Sequence, residues 1–294
     1  MNHTIALIKR NAKLFLRDRA TVFFSFLSTL IMVALYFLFI GRIYIDDMNN
    51  VAPITKAASG FVVYAQMMAG VLVLNSMSLT LGMFSVAAKD FESKRADCFL
   101  TMPVKRRELL VSYFAGGLAV SFLLNLFTWV LSIILIGAAT GYWISIGTAV
   151  AATGVLVVSS VISSSIMMLI TVAVRSSTAI GVISGIAGTF LGFLCGIYMP
   201  YSNLGSSVKA VGSLIPFTHI TVWFKNLVLT DVFAQIGVAG EVKDVLMNDY
   251  FTANGVGFAG MDIPLWATLV YAVAVGLVCL TAAGLMLRKR FRMS

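Results

Sequence analysis

Between Leu109 and Val174 the chain carries no Asp, Glu, Lys or Arg. A stretch of that length without charge has no face to offer water, so it belongs in a bilayer or deep inside a protein. A membrane span needs about 20 apolar residues, so the stretch holds more than one helix. The segment Gly137–Trp143, reading GAATGYW, supplies the break, because glycine and small polar residues favour turns over helix. Two spans result, at about Leu110–Ile136 and Ile144–Val174. In lipid every backbone N–H and C=O must find a partner inside the protein, which leaves helices or closed barrels. Runs this long select helices.

The rest of the chain repeats the pattern, with further spans at about Val22–Ile40, Gly60–Ala88, Thr178–Tyr198 and Pro264–Leu287. The first run outlasts the roughly 7–15 residues of a signal-peptide apolar region, so it is expected to be a retained span. The second lies between Lys56 and Lys89. At 1.5 Å per residue it exceeds a hydrocarbon core of roughly 30 Å, so it must tilt or protrude. Composition agrees: 60% of residues are hydrophobic and 11% charged, against about 25% charged in soluble domains. The expected fold class is all-α, an integral membrane protein of six transmembrane helices. An interfacial amphipathic helix (1–20) precedes the spans. Paired re-entrant helices lie before the last span, within an external loop over 200–263.

Residues 4–20 place Ile5, Ile8, Ala12, Phe15 and Leu16 on one side of a helix and Lys9, Arg10, Lys13 and Arg17 on another. Such a helix suits the interface beside anionic headgroups. With the N-terminus inside, inner segments hold Lys9, Arg10, Lys13, Arg17, Arg19, the cations of residues 89–107, Arg175, Arg288, Lys289, Arg290 and Arg292. Outer segments hold Arg42, Lys56, Lys209, Lys225 and Lys243. The positive-inside rule then places both termini in the cytoplasm of a multi-pass cell-membrane protein. In the outer segment, Val208–Ile215 and Phe217–Leu229 are too short to span, and Pro216 separates them. Asp231 to Asp262 is rich in acids and is expected to be an exposed lobe.

The island Lys89–Glu108, KDFESKRADCFLTMPVKRRE, faces the same side as the termini. It encloses an apolar insert from Cys98 to Pro103. Apolar anchors ringed by charge suit a partner surface, although such a segment also suits the bilayer surface. Within the spans, Gln66, Asn75 and Asn125 each need an internal partner or water. They serve either as packing glue or as the lining of a path. Ser159, Ser160, Ser163, Ser164 and Ser165 pose the same choice. Gly181, Gly185, Gly188, Gly192 and Gly196 share one arc of the fifth span, where glycine permits close helix approach, either as packing within one subunit or as a subunit interface or pathway wall whose packing can slide. No ionisable residue lies well inside a span, which argues against a proton relay. Cys98, Cys195 and Cys279 are scattered, His3 and His219 are far apart, and no metal spacing emerges. No phosphate loop or hydrolase motif is present, so the chain is not expected to be an enzyme. A nucleic-acid partner lacks a domain to bind it.

Three stretches carry a family resemblance. They are KRNAKLFLRDRATVFFSFLSTLIM at the start, the island from Asp90 and Glu92 through Phe99-Leu100 to Met102–Leu109, and GIYMPYSNLGSSVKAVGSLIPFTHI. In the last, Gly196, Pro200, Leu204, Pro216 and Thr218 stand at matching positions. The chain resembles the six-helix membrane subunits of ABC exporters of drugs, lipids and polysaccharides. The resemblance implies a single permease domain over 1–294, with residues 89–108 as a cytoplasmic coupling loop docking on a separate ABC ATPase subunit. It makes Glu92, Phe99, Leu100, Met102 and Pro103 the candidate coupling residues. It implies a second membrane subunit, a copy or a paralogue, with the path built largely from spans two and five. This chain would bind no cofactor, ATP and Mg being held by the partner. A stand-alone channel or ion-coupled carrier, and a membrane sensor or scaffold, are the alternatives.

Overall fold

The computed structural model describes residues 3–51, 54–93, 95, 98, 106–174, 176–195, 204–258 and 261–290. It opens on helix α1 (His3–Arg17), joined through Asp18 to α2 (Arg19–Leu35). A π turn, Tyr36–Ile40, carries α2 on into α3 (Gly41–Val51). Then come α4 (Lys56–Glu92), α5 (Arg106–Thr140), α6 (Ile146–Val174) and α7 (Ser177–Leu194). Helices α8 (Ser206–Ser213) and α9 (Pro216–Gln235) follow. The one-turn α10 (Glu241–Val245) leads through a second π turn to a hairpin, β1 (Gly255–Phe258) against β2 (Met261–Pro264). Helix α11 (Leu265–Arg290) closes the described chain.

Among the described residues six helices are long and apolar enough to cross a membrane, as the hydropathy runs require. α4 is the central one: 83% of its apolar window is buried in the protein, against 24% for the helix starting at Arg19 and 17% for α11. It spans 37 residues, roughly 55 Å at 1.5 Å per residue, so it overruns the hydrocarbon core as anticipated. Its start is fixed by Thr55, whose hydroxyl accepts from Ala58 N. α5, α6, α7, α9, α2 and α1 all pack on it. The α5–α6 break is a turn at Gly141, where φ is +77° and only glycine is unstrained.

The structure departs from the expectations in three places. The first span does not stop at Ile40; the helical path runs through Arg42, Asp46 and Asp47, because loss of apolarity ends a span without ending a helix. α1 buries Phe15 of its expected apolar side. Leu7 and Asn11 are buried as well, while Ile5 and Leu16 face outward. The lobe after Asp231 is not simply exposed: Leu246, Met247, Phe251 and Val256 are buried, and Phe251 meets Phe233 of α9. Finally, Lys225, assigned to the outer loop charges, is 2% exposed on α9, and His219 is 1% exposed there. Pro216 does separate two helices and begins the second one, where its missing N–H costs nothing.

Candidate functional site at the end of helix α4

The last turn of α4 leads straight into the charged island, and three of its residues are tied to other elements. Asp90 is 3% exposed. Its carboxylate accepts two hydrogen bonds from the Arg10 guanidinium of α1, at 2.7 and 3.1 Å. A third comes from the Tyr113 hydroxyl of α5, at 2.8 Å. A two-pronged guanidinium–carboxylate pair is both strong and orientationally strict. The Asp90 bond raises the Arg10 pKa above its ordinary value, so Arg10 stays charged. Arg10 also donates to Asn11 Oδ1 at 2.9 Å.

Lys89 lies on the opposite side of the turn, its Nζ 3.5 Å from Asp18 Oδ2. Asp18 is the N-cap of α2, accepting from Thr21 N at 3.0 Å and Thr21 Oγ1 at 2.7 Å. Those bonds, with Lys89, hold its carboxyl below the usual range. Glu92 reaches the other way. One oxygen accepts from Ser177 N at 3.1 Å and Ser177 Oγ at 2.7 Å, at the first residue of α7. A carboxylate there also meets the positive end of the helix dipole. One helical turn thus grips α1, the α1–α2 joint, α5 and α7.

Halfway along α4 a second polar set is buried. Thr29 of α2 donates to Asn75 Oδ1 at 2.8 Å. Asn75 Nδ2 donates to Asn125 Oδ1 at 3.1 Å and Thr128 Oγ1 at 3.2 Å, both on α5. Asn125 Nδ2 returns to Leu72 O at 3.0 Å. Both asparagines are fully buried, and their amides are bonded across three helices. Gln66 Oε1 accepts from Tyr36 OH at 3.4 Å. Ser76 meets Ser159 and Ser163 of α6 at 2.7 and 3.0 Å. The hydroxyls of Ser160 and Ser164 are buried with no partner among the described residues.

Of the coupling residues singled out from sequence, Glu92 is placed as above. Phe99, Leu100, Met102 and Pro103 lie outside the described residues, as does Gly196. On α7 a Cβ added at Gly181 or Gly188 would meet nothing within 4 Å, whereas Gly192 is buried; Gly185 is a helical residue of the same element. Close approach within the chain occurs instead at Gly82, where a Cβ would collide with Ser25 and come 3.1 Å from the Phe15 ring. Sequence reasoning missed Asp90's partners Arg10 and Tyr113. The available signal was an acid one step beyond a span, with a basic helix upstream to neutralise it. Among the described residues no cluster of His, Cys, Asp or Glu is placed to hold a metal.

Residues 43–285 match the family model described as ABC-2 family transporter protein. The chain belongs to the ABC-2 transporter family. No curated protein matches it. The membrane chain of an ABC-2 transporter is the permease component, and the ATPase is a separate subunit with which it pairs. The matched segment begins in α3 and ends in α11, so it takes in the Asp90 turn and the Asn75–Asn125 pair. Arg10 lies ahead of it. The ABC-2 permease chain therefore completes its α4 end with a side chain from outside the matched segment.

Proposed function

We propose that this chain is the membrane subunit of an ATP-driven exporter that moves an apolar or amphipathic substrate, a drug, lipid or lipid-linked molecule, outward. The segment 89–108 is the coupling loop, on the cytoplasmic side with both termini. Phe99, Leu100, Met102 and Pro103 seat in a separate ABC ATPase, which carries the ATP and Mg. A second membrane subunit, a copy or a paralogue, pairs through the glycine arc of α7, which is open at Gly181 and Gly188. The path lies between the paired subunits along α4 and α7. α8 and α9 form the re-entrant pair in the outer leaflet.

The observation that carries this reading is the Asp90 turn. The helix that enters the loop is bonded at its last turn to α1, the α1–α2 joint, α5 and α7, so a push on the loop reaches the bundle. The buried amides of Asn75 and Asn125 are satisfied by one another and by Thr29, Thr128 and Leu72 O. They act as glue between helices in this reading. The test is co-purification from native membranes. The wild-type chain is expected to bring down a phosphate-loop ATPase and to have no ATPase activity alone. Phe99→Asp with Leu100→Asp should release it, with the membrane chain still inserted. An ATPase that stays bound to the double variant removes the docking assignment.

A further inference from the structure

We infer that the chain holds a resident anionic phospholipid in a groove between α2 and α5, apart from the proposed path along α4 and α7. The groove has a volume of about 530 Å³ and is backed by Met68 of α4. That falls within the roughly 300–1,000 Å³ of small-molecule sites. Its lining on α2 runs from Arg19 to Val33, a length of roughly 21 Å at 1.5 Å per residue. One leaflet contributes about half of a core roughly 30 Å thick. The groove is therefore long enough for a whole acyl chain.

Its chemistry is that of a lipid. Phe26, Leu131 and Leu135 make its walls apolar, and α2 itself is mostly turned outward. The hydroxyls at its edge are already engaged. Thr29 donates to Asn75, Ser132 donates to Thr128 O, and Thr128 Oγ1 lies within bonding reach of Asn75 Nδ2 and Leu124 O. No polar atom there asks for a polar ligand along the chain's length. Among the described residues Arg19 is the only charged residue in the lining, and it stands at one end. It is exposed. α1 leads into that end and exposes Lys13 and Arg17. The nearby acid, Asp18, is occupied by Thr21 and Lys89. An apolar trough with a cation at one mouth matches a phosphate headgroup above an acyl chain. The charge asymmetry puts that mouth in the cytoplasmic leaflet, where anionic lipids concentrate.

The test is native mass spectrometry of the protein released from micelles holding equal phosphatidylglycerol and phosphatidylcholine with matched chains. One phosphatidylglycerol is expected to be retained over phosphatidylcholine by about five-fold, the effect of one cation near an anionic headgroup. Arg19→Ala should erase that preference and leave a neutral adduct; Arg19→Lys should keep it; Arg17→Ala should keep most of it. Leu131→Trp, which fills the trough, should remove both adducts while the melting temperature holds. No preference in the wild type, equal loss in Arg17→Ala and Arg19→Ala, or adducts surviving Leu131→Trp would each overturn the site. So would a disulfide between Phe23→Cys chains in vesicles, because a second copy would then occupy the groove.

Discussion

Asp90 shows how one carboxylate sets local energetics. It is nearly buried, and its oxygens are satisfied by the Arg10 guanidinium and the Tyr113 hydroxyl. Arg10→Ala strips the cation and leaves the acid with one neutral donor. The expected cost is about 2 kcal/mol, in the range of a charged hydrogen bond lost from a partly buried pair. Thermal unfolding in detergent measures it. Arg10→Ala combined with Asp90→Ala should cost less than the sum of the two single changes. Strict additivity in that cycle would mean the pair is not coupled. Asp18 gives the pH dependence at the same scale. Its folded pKa is depressed, chiefly by Thr21 N–H. Its contribution is therefore present above the unfolded carboxylate range and is lost as pH falls through the folded pKa. Wild-type melting temperature should drop more steeply than that of Asp18→Asn as pH falls from 6 toward the acid range of carboxylates, about 4 and below. Parallel curves would remove Asp18 from the account. Neither partner set was legible in the sequence. Spacing on one helix says nothing about which residue of another helix stands opposite, and Arg10 and Asp90 are far apart in the chain.

At the scale of elements, the spans were largely legible because the bilayer imposes a length and excludes charge. The break at Gly137–Trp143 and the start of α9 at Pro216 came from the same physics of turns and missing donors. Where the rule rests on apolarity alone it loses its hold. The helix from Arg19 continues through Arg42, Asp46 and Asp47, since charged residues are good enough helix formers once outside lipid. The apolar residues Leu246, Met247 and Phe251 are scattered among acids, so their burial, with Phe251 meeting Phe233 of α9, was invisible. The glycines of α7 were conspicuous by number, yet Gly82, one of three glycines in α4, is pressed against α1 and α2. The asparagine pair joins α2, α4 and α5, and its energy belongs to all three. Asn125→Leu leaves the Asn75 amide and Leu72 O short of partners, and about 1–3 kcal/mol should be lost. Asn75→Leu with Asn125→Leu removes both amides and should recover part of that loss. Denaturant or thermal unfolding of the three variants decides it. A double variant as weak as the sum of the singles would make the network a mere list of contacts.

For the whole molecule, the consequence of gathering four elements at one turn is mechanical. α4 is the central helix, and the side chain of its final residue, Glu92, is exposed and among the described residues bonds forward, to the first residue of α7. The bond joins the end of one proposed path helix to the beginning of the other. α7 also packs on α4, and the Glu92–Ser177 bond adds a direct tie at the end where the loop would push. Glu92→Gln keeps the shape and removes the charge that meets the α7 N-terminus; Ser177→Ala removes the hydroxyl donor and keeps the backbone one. Under the exporter reading, both variants should insert, and the ATPase should still assemble and hydrolyse ATP. Substrate efflux per ATP should fall several-fold in Glu92→Gln and less in Ser177→Ala. Loss of ATPase assembly in Glu92→Gln would instead place this side chain in the docking surface itself. Unchanged efflux in both variants would mean that α7 takes its motion from elsewhere. Measuring ATPase binding, hydrolysis and efflux on the same reconstituted complex separates the three outcomes, because only a broken transmission lowers the third while sparing the first two.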